Sequence, residues 1–115
     1  MASLTMRGNV GAGHTANAIM EGVLASGISC ELVDSVNRQI GGTLMHIMVF
    51  EKYYMRASNR ASLTVVVTGD VFSCVVDAIS SGGGQGVIFK LSYGAEHDFV
   101  SVVEKILYPN GFEKI

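Results

Sequence analysis

Apolar and polar positions change period several times along this chain, and each change marks an element. Thr15 to Ser26 places Ala16, Ile19, Met20, Val23 and Leu24 on one helical stripe. Gly27 follows where a helix cap belongs. The period then drops to two. Ile28, Cys30, Leu32 and Val36 alternate with Ser29, Glu31, Ser35 and Asn37, as in a half-buried strand. Gly41-Gly42 predicts a tight hairpin turn. Thr43 to Arg56 is apolar on both phases. The hairpin glycines and the aromatics Phe50, Tyr53 and Tyr54 favour a strand covered on both faces over a helix.

Ser58-Asn59-Arg60 is a polar tip. Leu63, Val65 and Val67 then alternate with Thr64 and Thr68, and Gly69-Asp70 is the next turn. Phe72, Cys74, Val76 and Ala78 share a face of a further strand. Val87, Phe89, Leu91 and Tyr93 alternate in the same way and predict a last strand. Glu96 to Leu107 reads as a helix with Phe99, Val102, Val103 and Ile106 on its stripe. Glu96 and Asp98 fall in its first turn, Lys105 lies near its end, and Pro109-Asn110-Gly111 stops it. Ser3 to Arg7 is a short candidate first strand.

The predicted order is a strand, a helix, a meander of about five strands and a closing helix. Strands joined by short turns are antiparallel, and two one-faced helices must cover one face of the sheet. The expected class is α+β: an antiparallel sheet of five to six strands with two helices on one face, in one domain spanning 1–115. That arrangement resembles TATA-box-binding-protein-like and helix-grip folds, a likeness of topology that carries no function by itself.

Composition narrows the function. The chain is 49% hydrophobic and only 16% charged, below the quarter or so of an average domain. A surface so short of charge predicts that a partner covers part of it, and the expectation is a homo-oligomer. The net charge of -2 and the absence of any basic run exclude an electrostatic nucleic-acid binder. No apolar run approaches the length of a membrane span, and no signal-peptide pattern opens the chain, so a cytoplasmic location is expected. Cys30 and Cys74 stand apart, with no CxxC, and read as small hydrophobes. His46 reads as a hydrogen-bonded core histidine. The six methionines read as core filler. No metal site and no cofactor are expected.

Candidate chemistry gathers in two polar motifs. The run Ser80-Ser81-Gly82-Gly83-Gly84-Gln85-Gly86 interrupts two strand patterns, and its backbone N–H groups suit an anion. No Lys-Ser/Thr pair follows, so it is no P-loop. Ser58-Asn59-Arg60, with Arg56, Tyr53 and Tyr54 nearby, joins arginine to aromatics, a combination suited to a carboxylate or phosphate. The candidate ligand-binding residues are Ser58, Asn59, Arg60, Ser81, Gly82, Gly83, Gly84 and Gln85. Alternate connections of a meander share an end, which predicts that the two motifs meet.

Gly11-Ala12-Gly13-His14-Thr15-Ala16 fits G-x-G-x-x-A, with Asp34 about twenty residues on. The strand before it is polar and alternating, and the strands after it form hairpins, so dinucleotide binding is set aside.

The stretches Leu32-Val33-Asp34-Ser35, Arg56 to Thr64, and Ser80 to Gly86 with Tyr93-Gly94-Ala95-Glu96 resemble a family of small bacterial proteins classed as a domain of unknown function. The resemblance covers about Met20 to Leu107 and implies a bacterial cytosolic single-domain protein. Three functions stay in competition. The first is a non-catalytic binding or homo-oligomeric protein. The second is a helix-grip carrier of a small apolar or anionic ligand, anchored by Arg56, Arg60 or Gln85. The third is an enzyme for an anionic substrate that gathers Arg60, the glycine run and His97 or Asp77 in one cleft.

Overall fold

In the computed structural model, which describes residues 2–54, 59–82 and 89–115 (backbone only at 59 and 89–94), a sheet carries two helices on one face. The elements are β1 (Ala2–Gly8), α1 (Ala12–Leu24), β2 (Glu31–Ile40), β3 (Thr43–Tyr54), β4 (Asn59–Gly69), β5 (Cys74–Gly82), α2 (Phe89–Leu107) and β6 (Glu113–Lys114). The six-stranded sheet runs β2-β3-β4-β5-β1-β6, and every pair is antiparallel. The class is α+β, as the sequence predicts.

Register follows the hydrophobic pattern. Ala61, Leu63, Val65 and Val67 of β4 and Cys74, Val76 and Ala78 of β5 point to the helices and are buried. A slip of one residue would expose them all. Met48 and Phe50 of β3 and Met6 of β1 extend the same face. Against it lie Ile19 and Val23 of α1 and Phe99, Val103 and Leu107 of α2, all essentially inaccessible. Tyr54 meets Phe99 edge to face, with ring centroids 6.0 Å apart. Lys52 reaches from β3 to the Ser26 carbonyl just past α1, its Nζ 3.2 Å away, where a cation complements the exposed carbonyls.

Several boundaries differ from the sequence expectation. Residues 89–93 are not strand but the opening turns of α2, while 87 and 88 lie outside the described residues. The alternation there is short, and Phe89/Tyr93 and Leu91/Ala95 also keep the i, i+4 spacing of a helix. Glu96 is therefore well inside α2, not in its first turn. α1 starts three residues earlier than predicted, and its C-cap is Ala25 in right-handed geometry, so Gly27 is not the cap. A bulge between Leu32 and Asp34 breaks β2, which begins only at Glu31. Ile28 is left fully exposed ahead of it. β5 runs on to Gly82, so Ser80, Ser81 and Gly82 are strand residues, and Phe72 falls in the turn before it. β1 lies inside the sheet between β5 and β6.

Candidate functional site

The ladder between β4 and β5 brings the two polar motifs to one end of the sheet. Ala61 stands opposite Gly82 and Ser62 opposite Ser81, and Arg60 is the next residue outward, opposite Tyr53. Asn59 opens β4 opposite Tyr54. Ser58, Gly83, Gly84, Gln85 and Arg56 lie outside the described residues. The serines are used within the sheet. Ser80 Oγ donates to the Ser62 carbonyl at 2.7 Å, and the Ser62 and Ser81 hydroxyls are 3.0 Å apart.

Shared position does not give shared direction. Arg60 lies on the face without helices. Its Nη1 is 3.7 Å from Glu31 Oε1 and 3.6 Å from Glu51 Oε1. Glu31 and Glu51 are direct cross-strand neighbours, and like charges so placed repel. Arg60 bridges them, so an incoming anion would compete with two carboxylates already in place. On the helix side, the Gly82 N–H donates to Glu96 Oε1 at 2.9 Å. The first amide of the glycine run is thus taken by a carboxylate of its own chain. Glu96 is only 6% exposed, whereas its expected place was the first turn of the helix. The signal was available: Glu96, Phe99 and Val103 share the i, i+3, i+7 stripe, and a carboxylate at a core position needs a buried donor.

The proposed catalytic partners do not converge. Asp77 sits mid-strand on the helix-free face and accepts a hydrogen bond from Thr5 Oγ1 at 2.8 Å. His97 is exposed on α2, across the sheet from it. Half-buried His46 places Nδ1 2.9 Å from Asn37 Oδ1. Among the described residues no cluster of three His, Cys, Asp or Glu could hold a metal. Burial pushes both thiols, Cys30 and Cys74, above the ordinary range. The Cys74 thiol donates to Thr15 Oγ1.

The G-x-G-x-x-A segment does join a strand to a helix, yet its glycine serves packing. A Cβ at Gly11 would lie 2.8 Å from the Val71 carbonyl oxygen. The first helical amide, that of Ala12, donates to the Asp70 carbonyl at 2.8 Å. The β4–β5 turn occupies the place a pyrophosphate would take in a dinucleotide site, and β1 has only antiparallel partners.

The helix-free face is the largest feature left. Across it run rows of aligned residues. One is Val36, Ile47, Val66, Asp77 and Thr5. On one side of it lie Asp34, Val49, Thr64, Ile79 and Ser3, and on the other Arg38, Met45, Thr68, Val75 and Arg7. Neither helix touches these positions. Their aliphatic members make the two-phase pattern of β3 intelligible: both faces of that strand are apolar, but only one is covered. Depressions of about 380 Å³ and 390 Å³ lie elsewhere, on the outer side of α2 near Tyr108 and beside Arg7 and Gly111. Neither lies between α2 and the sheet, where Phe50, Leu63, Val65 and Phe99 are fully buried.

The chain belongs to the family of unknown function DUF6054, whose model matches residues 1–109. No curated protein matches it. Among the described residues no helix is long and apolar enough to cross a membrane.

Proposed function

We propose that this is a non-catalytic binding protein that works as a homo-oligomer, with the helix-free sheet face as its association surface. One observation carries the reading: Val36, Met45, Ile47, Val49, Val66, Val75 and Ile79 form a contiguous apolar field that neither helix covers. Monomers rarely expose such a patch above a few hundred Å². Five strands at about 4.8 Å spacing and three rows about 6.8 Å apart give roughly 500 Å² in projection, polar positions included. That is over half of the ~800 Å² per partner of a standard interface, and the charged ends of the face extend it.

Charge favours a second copy of this chain as the occupant. Glu31, Asp34 and Glu51, with Arg60, mark one end of the face. Arg7 and Arg38 mark the other, with Glu113 opposite Arg7. A two-fold axis lying in the interface and perpendicular to the strands stacks the acidic end of each copy on the basic end of its mate. Such an interface is isologous and closed.

The test is mass by light scattering or sedimentation at micromolar concentration. The parent protein is expected as a dimer, and Ile47→Lys, at the centre of the field, as a folded monomer. A parent protein that is strictly monomeric overturns the reading.

A further inference from the structure

The β2 strand ends the sheet, and among the described residues no strand pairs with its outer side. Ile40 and Thr43 pair across the two-residue turn Gly41-Gly42, so they exchange both backbone hydrogen bonds. The alternation of an antiparallel ladder then sets the rest of the strand. Arg38, Val36 and Asp34 turn their backbone groups to β3, while Asn37 and Ser35 turn theirs outward. Two contacts bear out that direction. The Ser35 N–H donates to Asp34 Oδ1 at 2.8 Å, and Arg38 Nη1 donates to the Asn37 carbonyl at 3.2 Å. In the single chain, charged side chains thus occupy the outward groups, one of the ways a lone edge is blunted.

The same side chains make the edge its own complement. When two β2 strands pair antiparallel about Val36, Val36 meets Val36, Ser35 meets Asn37, and Asp34 meets Arg38 of the second copy. Opposite charges so placed attract. Ser35 and Asn37 are the residues with outward backbone groups, so the pairing that matches the charges also matches the hydrogen bonds. A register moved by one residue sets outward groups against inward ones, and one moved by two sets Asp34 or Arg38 opposite Val36. Pairing exchanges partners. The Ser35 N–H passes from Asp34 to the Asn37 carbonyl of the second copy, and Asp34 passes to that copy's Arg38 guanidinium. The bulge between Leu32 and Asp34 ends the ladder. α1 packs over β3, β4 and β5, so the helix layer stops short of the edge and leaves room for a second sheet beside it.

We propose that β2 is a second association surface, on which the β2 of another copy of this chain adds to the sheet in antiparallel register about Val36. The ladder spans only about 17 Å and buries less than a standard interface, so it closes at higher concentration than the helix-free face. Val36 also stands in the central row of that face, so the two-fold axis of the edge crosses the one proposed for the face, and the two contacts together close a tetramer of dihedral symmetry. The edge pairing rests on the ladder alone; the tetramer rests also on the face dimer.

Sedimentation equilibrium of the full chain from about 1 µM to about 1 mM tests the edge. Whatever mass is found at the low end is expected to double once and level off, so a monomer there sinks the face reading alone. As concentration rises, the Ser35 and Asn37 amides are expected to gain hydrogen-exchange protection, while those of Val36 and Arg38, already turned to β3, stay unchanged. Ser35→Pro removes an outward N–H and is expected to abolish the doubling without changing the mass at the low end. Arg38→Asp sets like charges opposite each other and is expected to weaken the doubling about tenfold, and Asp34→Arg/Arg38→Asp to restore it. A mass that never doubles, a mass that climbs without limit, parent-like doubling in Ser35→Pro, or a swapped protein no better than Arg38→Asp overturns the proposal. The amide spectrum of each variant reports whether it is folded.

Discussion

The Glu96 carboxylate holds the Gly82 amide at 2.9 Å, tying the last residue of β5 to the middle of α2. Replacing Glu96 by Ala removes the acceptor and leaves a part-buried N–H without it. The expected loss is about 1–3 kcal/mol in urea denaturation. Glu96→Gln keeps an acceptor oxygen and is expected to recover most of it. Equal losses in the two variants would assign the effect to charge and not to the hydrogen bond.

Arg60 gives a smaller effect of a different kind. Its side chain and that of Glu31 are 57% and 65% exposed, and pairs in such settings contribute at most about 1 kcal/mol. Arg60→Ala is expected to destabilise within that limit, chiefly by leaving Glu31 and Glu51 to repel each other. The loss shrinks in high salt. The double variant Arg60→Ala/Glu31→Gln recovers stability at low salt if repulsion is the cause.

Asp70 makes the β4–β5 turn sensitive to acid. Its Oδ1 accepts the amides of Phe72 at 2.8 Å and Ser73 at 3.0 Å. These bonds hold its carboxyl below the usual value of 3.8. A group depressed on folding contributes stability above its unfolded pKa and loses it as pH falls through the folded one. Melting temperature is therefore expected to drop as pH falls below about 3.8 in the parent protein, and less steeply in Asp70→Asn. Parallel curves for the two proteins would refute this role.

Asp77 tests the association face from the opposite direction to Ile47→Lys. It is the charged group nearest the centre of the apolar field and is held by Thr5. Burying a carboxylate against a second sheet is costly without a cation beside it. Asp77→Asn is expected to tighten self-association several-fold in sedimentation equilibrium. Weaker association would instead give Asp77 a direct partner across the interface.

Gly11 is constrained by the backbone of a distant turn. Gly11→Ala puts a methyl group 2.8 Å from the Val71 oxygen, a contact only a backbone shift relieves. A loss of about 1–3 kcal/mol is expected, as for other overpacked sites. Chemical denaturation measures it, and a neutral result would mean that the turn moves freely.

Much of the fold was legible in period alone. Leu63, Val65 and Val67 announced β4 and its buried face, and Ile19 and Val23 announced α1. Legibility failed where two periods fit the same few residues, as at Phe89 to Tyr93. Glu96 was missed because acidic residues at a helix start are common, and the start itself was misplaced. Arg60 and Gly82 were correctly brought to one end of the sheet, since a meander fixes which turns share an end. Their divergence to opposite faces depends on a ladder register that alternation alone does not give. The free edge of β2 was invisible in sequence, because alternation does not say whether β1 docks beside β2 or beside β5.

Thr5 and Asp77, joined across β1 and β5, are 72 residues apart. β1 is synthesised before β2 to β5, yet its main partner is the last strand of the meander to be made. Until β5 emerges, Met6 has no apolar wall to settle against. β1 must thus wait for a strand made long after it, and β2 to β5 can zip by local hairpins before it docks. Closing so long a loop is a late and slow event in a folding reaction. During that interval the exposed edge of β5 is open to the β1 of another nascent chain, and exchange of first strands is the misassembly to which this topology is prone.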